Sequence, residues 1–339
     1  MIKDKDGKFY PEPSTEPNEG QLKMIQRRYG AFLHFGINTF NNIEWSEGTL
    51  PIESYHPDAI DADSWVKTAY EAGMNYVIGI SKHHDGFCMW DTKSTDYSVR
   101  MSSNTTDIMK AISDACHKYG IGFAVYYSLW DRNAPCYRND FATGYISYML
   151  RQFEELLGGK YGDVCELWLD GPWDKLCPEW RYDLIYDLVK RYQPDCQVLI
   201  NHTIGRPGHG DPEDQYKPQN QHEYDPIRNF PSDFRLWDSY MAREDDPKIF
   251  TFEGKNYYLP FEHTICNKEG FSWFNSDVYE AKKQTDPGHI AECYRKCLRT
   301  DNTMVVNLPP NVHGKLSQCD IDNVMKAADI LGIRRTWPD

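Results

Sequence analysis

The sequence predicts an α/β protein built on a parallel sheet, and three observations predict it. Apolar runs of strand length alternate with capped helical segments along most of the chain. These runs are apolar at successive rather than alternate positions, which indicates strands buried on both faces. Polar side chains gather where the runs end. The 339 residues, 40% of them hydrophobic, suit a single α/β barrel, although the alternation by itself allows a closed or an open sheet.

The first elements illustrate the criteria used along the whole chain. Residues 1–20 are polar and contain several prolines, which indicates a loose N-terminal arm, and helical character begins near Gln21. The apolar run AFLHFGI at 31–37 predicts a strand. The segment 61–73 has acidic N-cap candidates at its start, apolar residues at helical spacing and a glycine at its end. It therefore predicts a helix.

The alternation continues towards the C-terminus with one interruption. After residue 202 about 55 residues are rich in Pro, Gly, Asp and Asn, and an irregular segment of that length usually has a functional role in a compact domain. We expect an irregular eighth strand between 230 and 260, and the sequence has no linker that would divide it. The other predicted strands are 76–81, 122–128, 166–171, 197–202, 259–265 and 304–309, and the other predicted helices are 106–119, 143–158, 178–192, 287–299 and 317–331.

The strand ELWLDG at 166–171 is the centre of the predicted site. Alternation along a strand places Glu166, Trp168 and Asp170 on one face. Gly171 and Pro172 then end the strand, which leaves Asp170 at a strand-to-loop junction. Barrel enzymes build their sites at such junctions. The alternative role for Asp170 is a helix N-cap or a turn former.

Composition excludes several classes of partner. The formal charge is −14, and no block of basic residues is present to bind phosphate groups, so nucleic acid and anionic membranes are excluded as partners.

The N-terminus has no apolar leader and no stretch approaches 18 apolar residues. The ten cysteines are scattered without a C-x-x-C pair, which is typical of free thiols in a reducing cytoplasm. We therefore expect a cytoplasmic protein without a membrane span. Aromatic residues make up 14% of the chain, which suits stacking on sugar rings or a tyrosine-rich core.

Two interpretations compete for the polar residues at the strand ends, which are His34, His83, His84, Tyr126, Asp170 and His202. A metal site could use the adjacent histidines, but neighbouring residues on a strand point opposite ways, so we predict no metal. Glycoside hydrolysis needs two carboxyl groups beside the scissile bond, with histidines and aromatic rings around the sugar. A single histidine at a strand end can also simply bond a backbone carbonyl.

On the hydrolytic interpretation Asp170 is the nucleophile. The general acid then comes from the long irregular segment, with Glu213 and Asp214 as leading candidates and Glu262 as a further one.

Eight stretches in order carry a resemblance over nearly the whole chain: GAFLHFGINTF, EWSEG, SKHHDGFCMWDTKSTDYSV, VYYSLWD, LWLDG, GHGDPEDQ, FEHTICNKEGFSW and VVNLPPNVHG. With these motifs the chain resembles the α-L-fucosidases of glycoside hydrolase family 29. The resemblance implies a (β/α)8, or TIM, barrel over 21–339, often distorted, and a retaining double displacement without a cofactor. The β-sandwich that commonly follows the barrel in this family is not expected here, because the sequence stops after its last helix.

The resemblance also assigns residues. It implies that Asp170 is the nucleophile and that the PEDQ stretch supplies the general acid and base, for which we choose Glu213 over Asp214. Where many members have an arginine after strand five, this chain has Asn201-His202, and whether Arg206 substitutes for it is left open. The residues expected to hold fucose are His34, Glu44, Trp45, His83, His84, Tyr126, Trp168 and Trp273.

The resulting expectation is a retaining exo-acting α-L-fucosidase whose partner is a fucosylated oligosaccharide or glycoconjugate. A fucose-binding or transglycosylating relative with little hydrolytic activity is the alternative. A metal-dependent hydrolase is a third class, which a chelator would inactivate. Whether the protein forms a homo-oligomer is left open.

Overall fold

Eight parallel strands close into a barrel in the computed structural model, which describes residues 1–206 and 215–338. Each strand pairs with its neighbour in the chain and the last pairs with the first, so the expected barrel is confirmed and the open sheet is excluded. The strands are β1 (Tyr29–Leu33), β2 (Tyr76–Lys82), β3 (Gly122–Ser128), β4 (Val164–Asp170), β5 (Gln197–Ile200), β6 (Phe234–Leu236), β7 (Phe261–Cys266) and β8 (Thr303–Asn307).

Seven longer helices accompany the strands within 1–206 and 215–338. Of the acidic N-cap candidates expected at the start of 61–73, Asp61 acts as the cap, since it accepts a backbone N–H of the first turn. Asp107 and Asp286 cap two further helices in the same way. The helices are α1 (Glu19–Arg27), α2 (Ala62–Glu71), α3 (Ile108–Tyr119), α4 (Ile146–Leu157), α5 (Tyr182–Tyr192), α6 (Pro287–Arg299) and α7 (Gln318–Leu331). Shorter helices span Ile37–Phe40, Pro135–Asn139 and Asp277–Glu280, and a π-helical turn at Phe141–Tyr145 precedes α4.

The barrel is distorted on one side. The eighth strand expected between 230 and 260 is β6, which has only three residues. No α-helix separates β5, β6 and β7 among the described residues. An antiparallel hairpin of Ile249–Phe252 and Lys255–Tyr258 lies between β6 and β7 instead. Aromatic and aliphatic side chains from this hairpin and from the segment before β6 form a separate small core, which covers the strands where the helices are missing.

Several strands end earlier than the sequence indicated, and two of these ends affect the site. The first strand stops at Leu33 because the helix Ile37–Phe40 follows closely, and β5 stops at Ile200. His34 and His202 therefore lie beyond their strands, and His202 adopts a positive φ of 55°. This frees both side chains from the strict alternation of a strand, so their direction depends on the loops.

Large side chains fill the barrel interior. The interior core includes Phe32, Ile78, Tyr126, Trp168 and Val305, while a larger core packs the outer faces of the strands against the helices. The register sets Tyr126 beside Trp168 and Ser128 beside Asp170. The C-terminal end of the barrel thus carries one layer of aromatic rings directly below a carboxylate.

All ten cysteines are unpaired, as the sequence predicted. In the parts of the chain that the structure describes, no helix has both the length and the apolarity to cross a bilayer.

Candidate active site

A narrow cavity of about 70 Å³ opens at the C-terminal ends of the strands. It is closed at its base by Phe32 and Trp168 of the interior core. The cavity brings together eight of the residues expected at the site, and three others that were not expected there. Its walls are Phe32, His34, Trp45, His83, His84, Tyr126, Trp168, Asp170, Trp173, Asp238 and Trp273.

Asp170 is the last residue of β4 and is 8% exposed. Its Oδ2 accepts a hydrogen bond from the Tyr126 hydroxyl (2.7 Å), and its Oδ1 accepts one from Asn201 Nδ2 (2.9 Å). His84 Nε2 lies 3.6 Å from Oδ2. These contacts from β3, from the end of β5 and from the loop after β2 fix the orientation of the carboxylate. The backbone turns away directly after it, because Gly171 has a φ of +71°.

Three histidines surround the carboxylate and are buried. His34 Nδ1 bonds Asn307 Oδ1 (2.8 Å) and His84 Nδ1 bonds Ser128 Oγ (2.6 Å). Burial lowers the pKa of His34 to about 3 and that of His84 to about 4, and it lowers the pKa of His83 well below its usual value. All three rings are therefore neutral near pH 7. A neutral imidazole offers one donor and one acceptor, which matches sugar hydroxyl groups.

His83 and His84 both face the cavity. The expectation that they point opposite ways is wrong, because β2 ends at Lys82 and the two residues lie in the following turn. Their ring centroids are 4.1 Å apart, and His83 stacks on Tyr126 at 5.7 Å. His83, His84 and Asp170 offer ligand atoms within 4.8 Å of one another, a spacing that a metal ion could bridge. The absence of a metal stays a prediction.

Glu44 and Trp45 serve the site in different ways. Both oxygens of Glu44 accept the backbone N–H of Trp273, at 3.0 and 3.1 Å, so Glu44 fixes the segment that carries this indole into the cavity wall. Burial raises the pKa of Glu44, and the bonds from the backbone N–H groups of Trp273 and Phe274 partly offset this. Trp45 lies at the mouth and is 50% exposed.

Asp238 is a site residue that the sequence interpretation missed. It follows β6, and its Oδ1 accepts hydrogen bonds from Thr264 Oγ1 (2.8 Å) and Ser239 Oγ (3.2 Å). Its backbone N–H donates to Asn201 Oδ1 (3.1 Å), so Asn201 links it to Asp170. Part of the side chain is accessible from the cavity, yet burial and then the charge of Asp170 raise its pKa to about 7. The available signal was an acid directly after the short, mostly apolar stretch FRLW.

The three candidate general acids are placed differently. Glu262 is 1% exposed and lies below the cavity, where it accepts hydrogen bonds from Trp168 Nε1 (3.0 Å) and the Tyr76 hydroxyl (2.7 Å). Burial raises its pKa and that of the neighbouring Glu166, which is also inside the barrel. Glu213 and Asp214 lie outside the described residues.

The protein is thus a closed (β/α)8-type barrel with a pocket at the C-terminal ends of its strands. The pocket holds a fixed carboxylate among neutral imidazoles and aromatic rings, at the place where barrel enzymes build their sites. The comparison with known families is more specific. The family model described as Alpha-L-fucosidase matches residues 14–319, and the chain belongs to this family.

Individual relatives agree with this assignment. Alpha-L-fucosidase 1 of Arabidopsis thaliana is 29% identical over 92% of this chain and 58% of its own length. A relative from Oryza sativa subsp. japonica is also 29% identical, over 93% of this chain and 58% of its own. The crystal structure of a glycoside hydrolase 29 family member from an unknown rumen bacterium superposes with a TM-score of 0.79 at 24% identity, over 95% of this chain and 58% of that one. This chain thus spans little more than half the length of these relatives.

Proposed function

We propose that the protein is a retaining exo-α-L-fucosidase that removes terminal α-L-fucosyl groups from oligosaccharides or glycoconjugates. The observation that carries the proposal is the placement of Asp170 in a small closed pocket, held by Tyr126 and Asn201. Family membership supports the choice of sugar and bond. Because the pocket is closed at its base, it admits the end of a saccharide and excludes an internal unit, which supports an exo mode.

The proposed mechanism begins with attack of an Asp170 oxygen on the anomeric carbon. The glycosidic oxygen leaves with a proton from the general acid, and a covalent fucosyl-enzyme forms. The same acid, now ionised, removes a proton from water, which attacks the anomeric carbon and releases fucose with retained configuration. His34, His83 and His84 bind the sugar hydroxyls, while Trp168 and Trp273 face the ring.

We assign the general acid to Glu213, with Asp214 as its neighbour in the same stretch, and this assignment rests on the sequence. The position of Glu262 argues against that role, because Trp168 and Tyr76 occupy its oxygens and it is sealed below the cavity. Asp238 is the competitor that the described residues introduce, since it lines the cavity and has a pKa of about 7. A group near that pKa is well suited to give and take a proton at neutral pH.

The nucleophile is tested with Asp170→Gly on an aryl α-L-fucoside. The variant should lose on the order of 10³-fold or more in kcat, and azide should restore turnover with a β-fucosyl azide product. Asp195→Gly, an exposed aspartate before β5, is the control and should behave like the wild type. Wild-type activity of Asp170→Gly would refute the assignment. If the wild-type protein binds fucose without releasing the aryl alcohol, the binding relative is the correct alternative.

The general acid is tested by comparing Glu213→Ala, Asp214→Ala, Glu262→Ala and Asp238→Ala on substrates with good and poor leaving groups. The variant that lacks the general acid should be slow on natural fucosides and far less impaired on a substrate that releases an acidic phenol. It should also yield an α-fucosyl azide when azide is added. If that behaviour appears in any variant other than Glu213→Ala, our choice of Glu213 is wrong while the retaining mechanism stands.

A further inference from the structure

Two indole rings lie exposed side by side at the mouth of the pocket. Trp45 is 50% exposed and Trp173 is 41% exposed. Their rings are nearly parallel, with an interplanar angle of 10° and centroids 6.2 Å apart. Burying a large apolar side chain stabilises a protein by about 1.5–3 kcal/mol, so two exposed indoles in contact are costly unless a ligand covers them.

The backbone directs Trp173 to this position. Gly171, directly after Asp170, has a positive φ, and a Cβ at this residue would lie 2.8 Å from the Cβ of Trp130. The chain therefore turns tightly against Trp130, and the 3-10 turn Pro172–Asp174 then carries the indole over the mouth. Trp130 supports both exposed rings with its edge, at 5.9 Å from Trp45 and 6.3 Å from Trp173. The two rings are thus a supported surface rather than loose side chains.

A single imidazole separates this surface from the reacting carboxylate. The ring of His84 meets Trp45 edge-on at 5.0 Å and Trp173 at 5.4 Å. The Nε2 atom of the same ring is 3.6 Å from Asp170 Oδ2. Because the pocket is closed at its base, the group bonded to the anomeric oxygen leaves through the mouth. It must pass beside these two indoles.

Charged groups border the surface. The Arg132 guanidinium lies 4.4 Å from the ring centroid of Trp130 and forms an ion pair with Glu47 at 3.1 Å. Glu47 is exposed and lies two residues after Trp45. A flat aromatic surface with hydrogen-bonding groups at its edge matches a sugar ring, whose C–H face is apolar and whose hydroxyls point outward. An alkyl chain would instead need an enclosed apolar groove.

We infer that Trp173, together with the exposed face of Trp45, forms a subsite for the sugar ring next to the fucosyl group. This inference rests on the proposed function and adds to it the residues that contact the sugar on the leaving-group side. Trp173 is then a specificity-determining residue.

The test compares kcat/KM of Trp173→Ala on methyl α-L-fucoside and on a disaccharide in which fucose is α-linked to galactose. For Trp173→Ala, kcat/KM should fall about tenfold or more on the disaccharide and less than about threefold on the methyl fucoside. The reason is that only the disaccharide has a second sugar ring, which can stack on the indole. Free galactose should inhibit the wild type competitively and the variant more weakly. Trp173→Phe keeps an aromatic face and should recover part of the preference for the disaccharide over the methyl fucoside. This variant provides a readout if Trp173→Ala folds poorly.

Tyr192→Ala is the matched control, because Tyr192 is 47% exposed at the C-terminal end of α5, away from the pocket. This variant should cleave both substrates with the kcat/KM of the wild type. Equal losses of Trp173→Ala on the two substrates would overturn the inference, as would a preference of the wild type for the methyl fucoside. Failure of the wild type to cleave either substrate would instead contradict the proposed function.

Discussion

Replacing Tyr126 by phenylalanine removes one of the two hydrogen bonds that hold the carboxylate of Asp170. The Tyr126 hydroxyl donates to Asp170 Oδ2 at 2.7 Å, and Asn201 holds the other oxygen at 2.9 Å. The rings of Tyr126 and Trp168 are stacked at 5.5 Å, and phenylalanine retains that contact. The substitution therefore tests the hydroxyl with little change in packing.

The size of the effect follows from the charge on the acceptor. A hydrogen bond to a charged group contributes about 1.5–3 kcal/mol, and tenfold in rate corresponds to about 1.4 kcal/mol. Loss of the bond should lower kcat/KM on an aryl α-L-fucoside by about 10- to 100-fold. Because the aromatic ring stays in place, the loss of rate should appear without a matching fall in the free energy of unfolding.

The assay compares kcat/KM on an aryl α-L-fucoside for Tyr126→Phe and Tyr127→Phe. Tyr127 is the next residue on β3, and its hydroxyl bonds Gln152 (2.6 Å) and Lys82 (2.9 Å) on the outer side of the barrel. Removal of the Tyr127 hydroxyl should lower the free energy of unfolding, while kcat/KM stays within about threefold of the wild type. A wild-type kcat/KM in Tyr126→Phe, or an equal loss of kcat/KM in both variants, would refute the argument.

Four further predictions concern the surroundings of the site. Gly171→Ala should lower the free energy of unfolding by at least about 1–2 kcal/mol in denaturant titrations, because φ is positive and the new Cβ meets Trp130; an unchanged midpoint would contradict this. The pKa of His84 falls from 6.5 to about 4 on folding, so the unfolded chain binds more protons. The free energy of unfolding therefore decreases as pH falls from 6.5 to about 4, and His84→Gln should remove up to about 3 kcal/mol of this decrease in denaturant titrations at several pH values. The pKa of Glu262 is raised on folding, so its contribution to stability decreases as pH rises from about 4.5 to about 7, and Glu262→Gln should flatten that decline in urea unfolding. Treatment with a chelator should leave kcat/KM unchanged, whereas inactivation that zinc reverses would establish a metal at His83, His84 and Asp170.

The sequence by itself determined the fold class and most of the strand and helix positions. Continuous apolar runs and capped helices are local signals, and they located β3 at 122–128 and α6 at 287–299 with the bounds that the structure has. The position of Asp170 at the end of β4 also followed, because the adjacent Gly171 and Pro172 together end the strand by a local effect. The order of the motifs was enough to indicate the family, since eight stretches in sequence rarely agree by chance.

Only the tertiary structure decided which carboxyl groups face the pocket. Glu166 and Asp170 share one face of β4, yet Glu166 lies inside the barrel beside Glu262 and Asp170 opens to the cavity. Their different depths along the barrel axis depend on the register of all eight strands. Asp238 was missed for the same reason: a three-residue strand gives almost no periodic signal, and its contact with Asn201 joins residues 37 positions apart. The shared direction of His83 and His84 depends on where β2 ends, and neighbouring strands rather than local sequence set that end. Local patterns therefore specify the elements and their polar ends, whereas the closure of the barrel determines which of those ends meet.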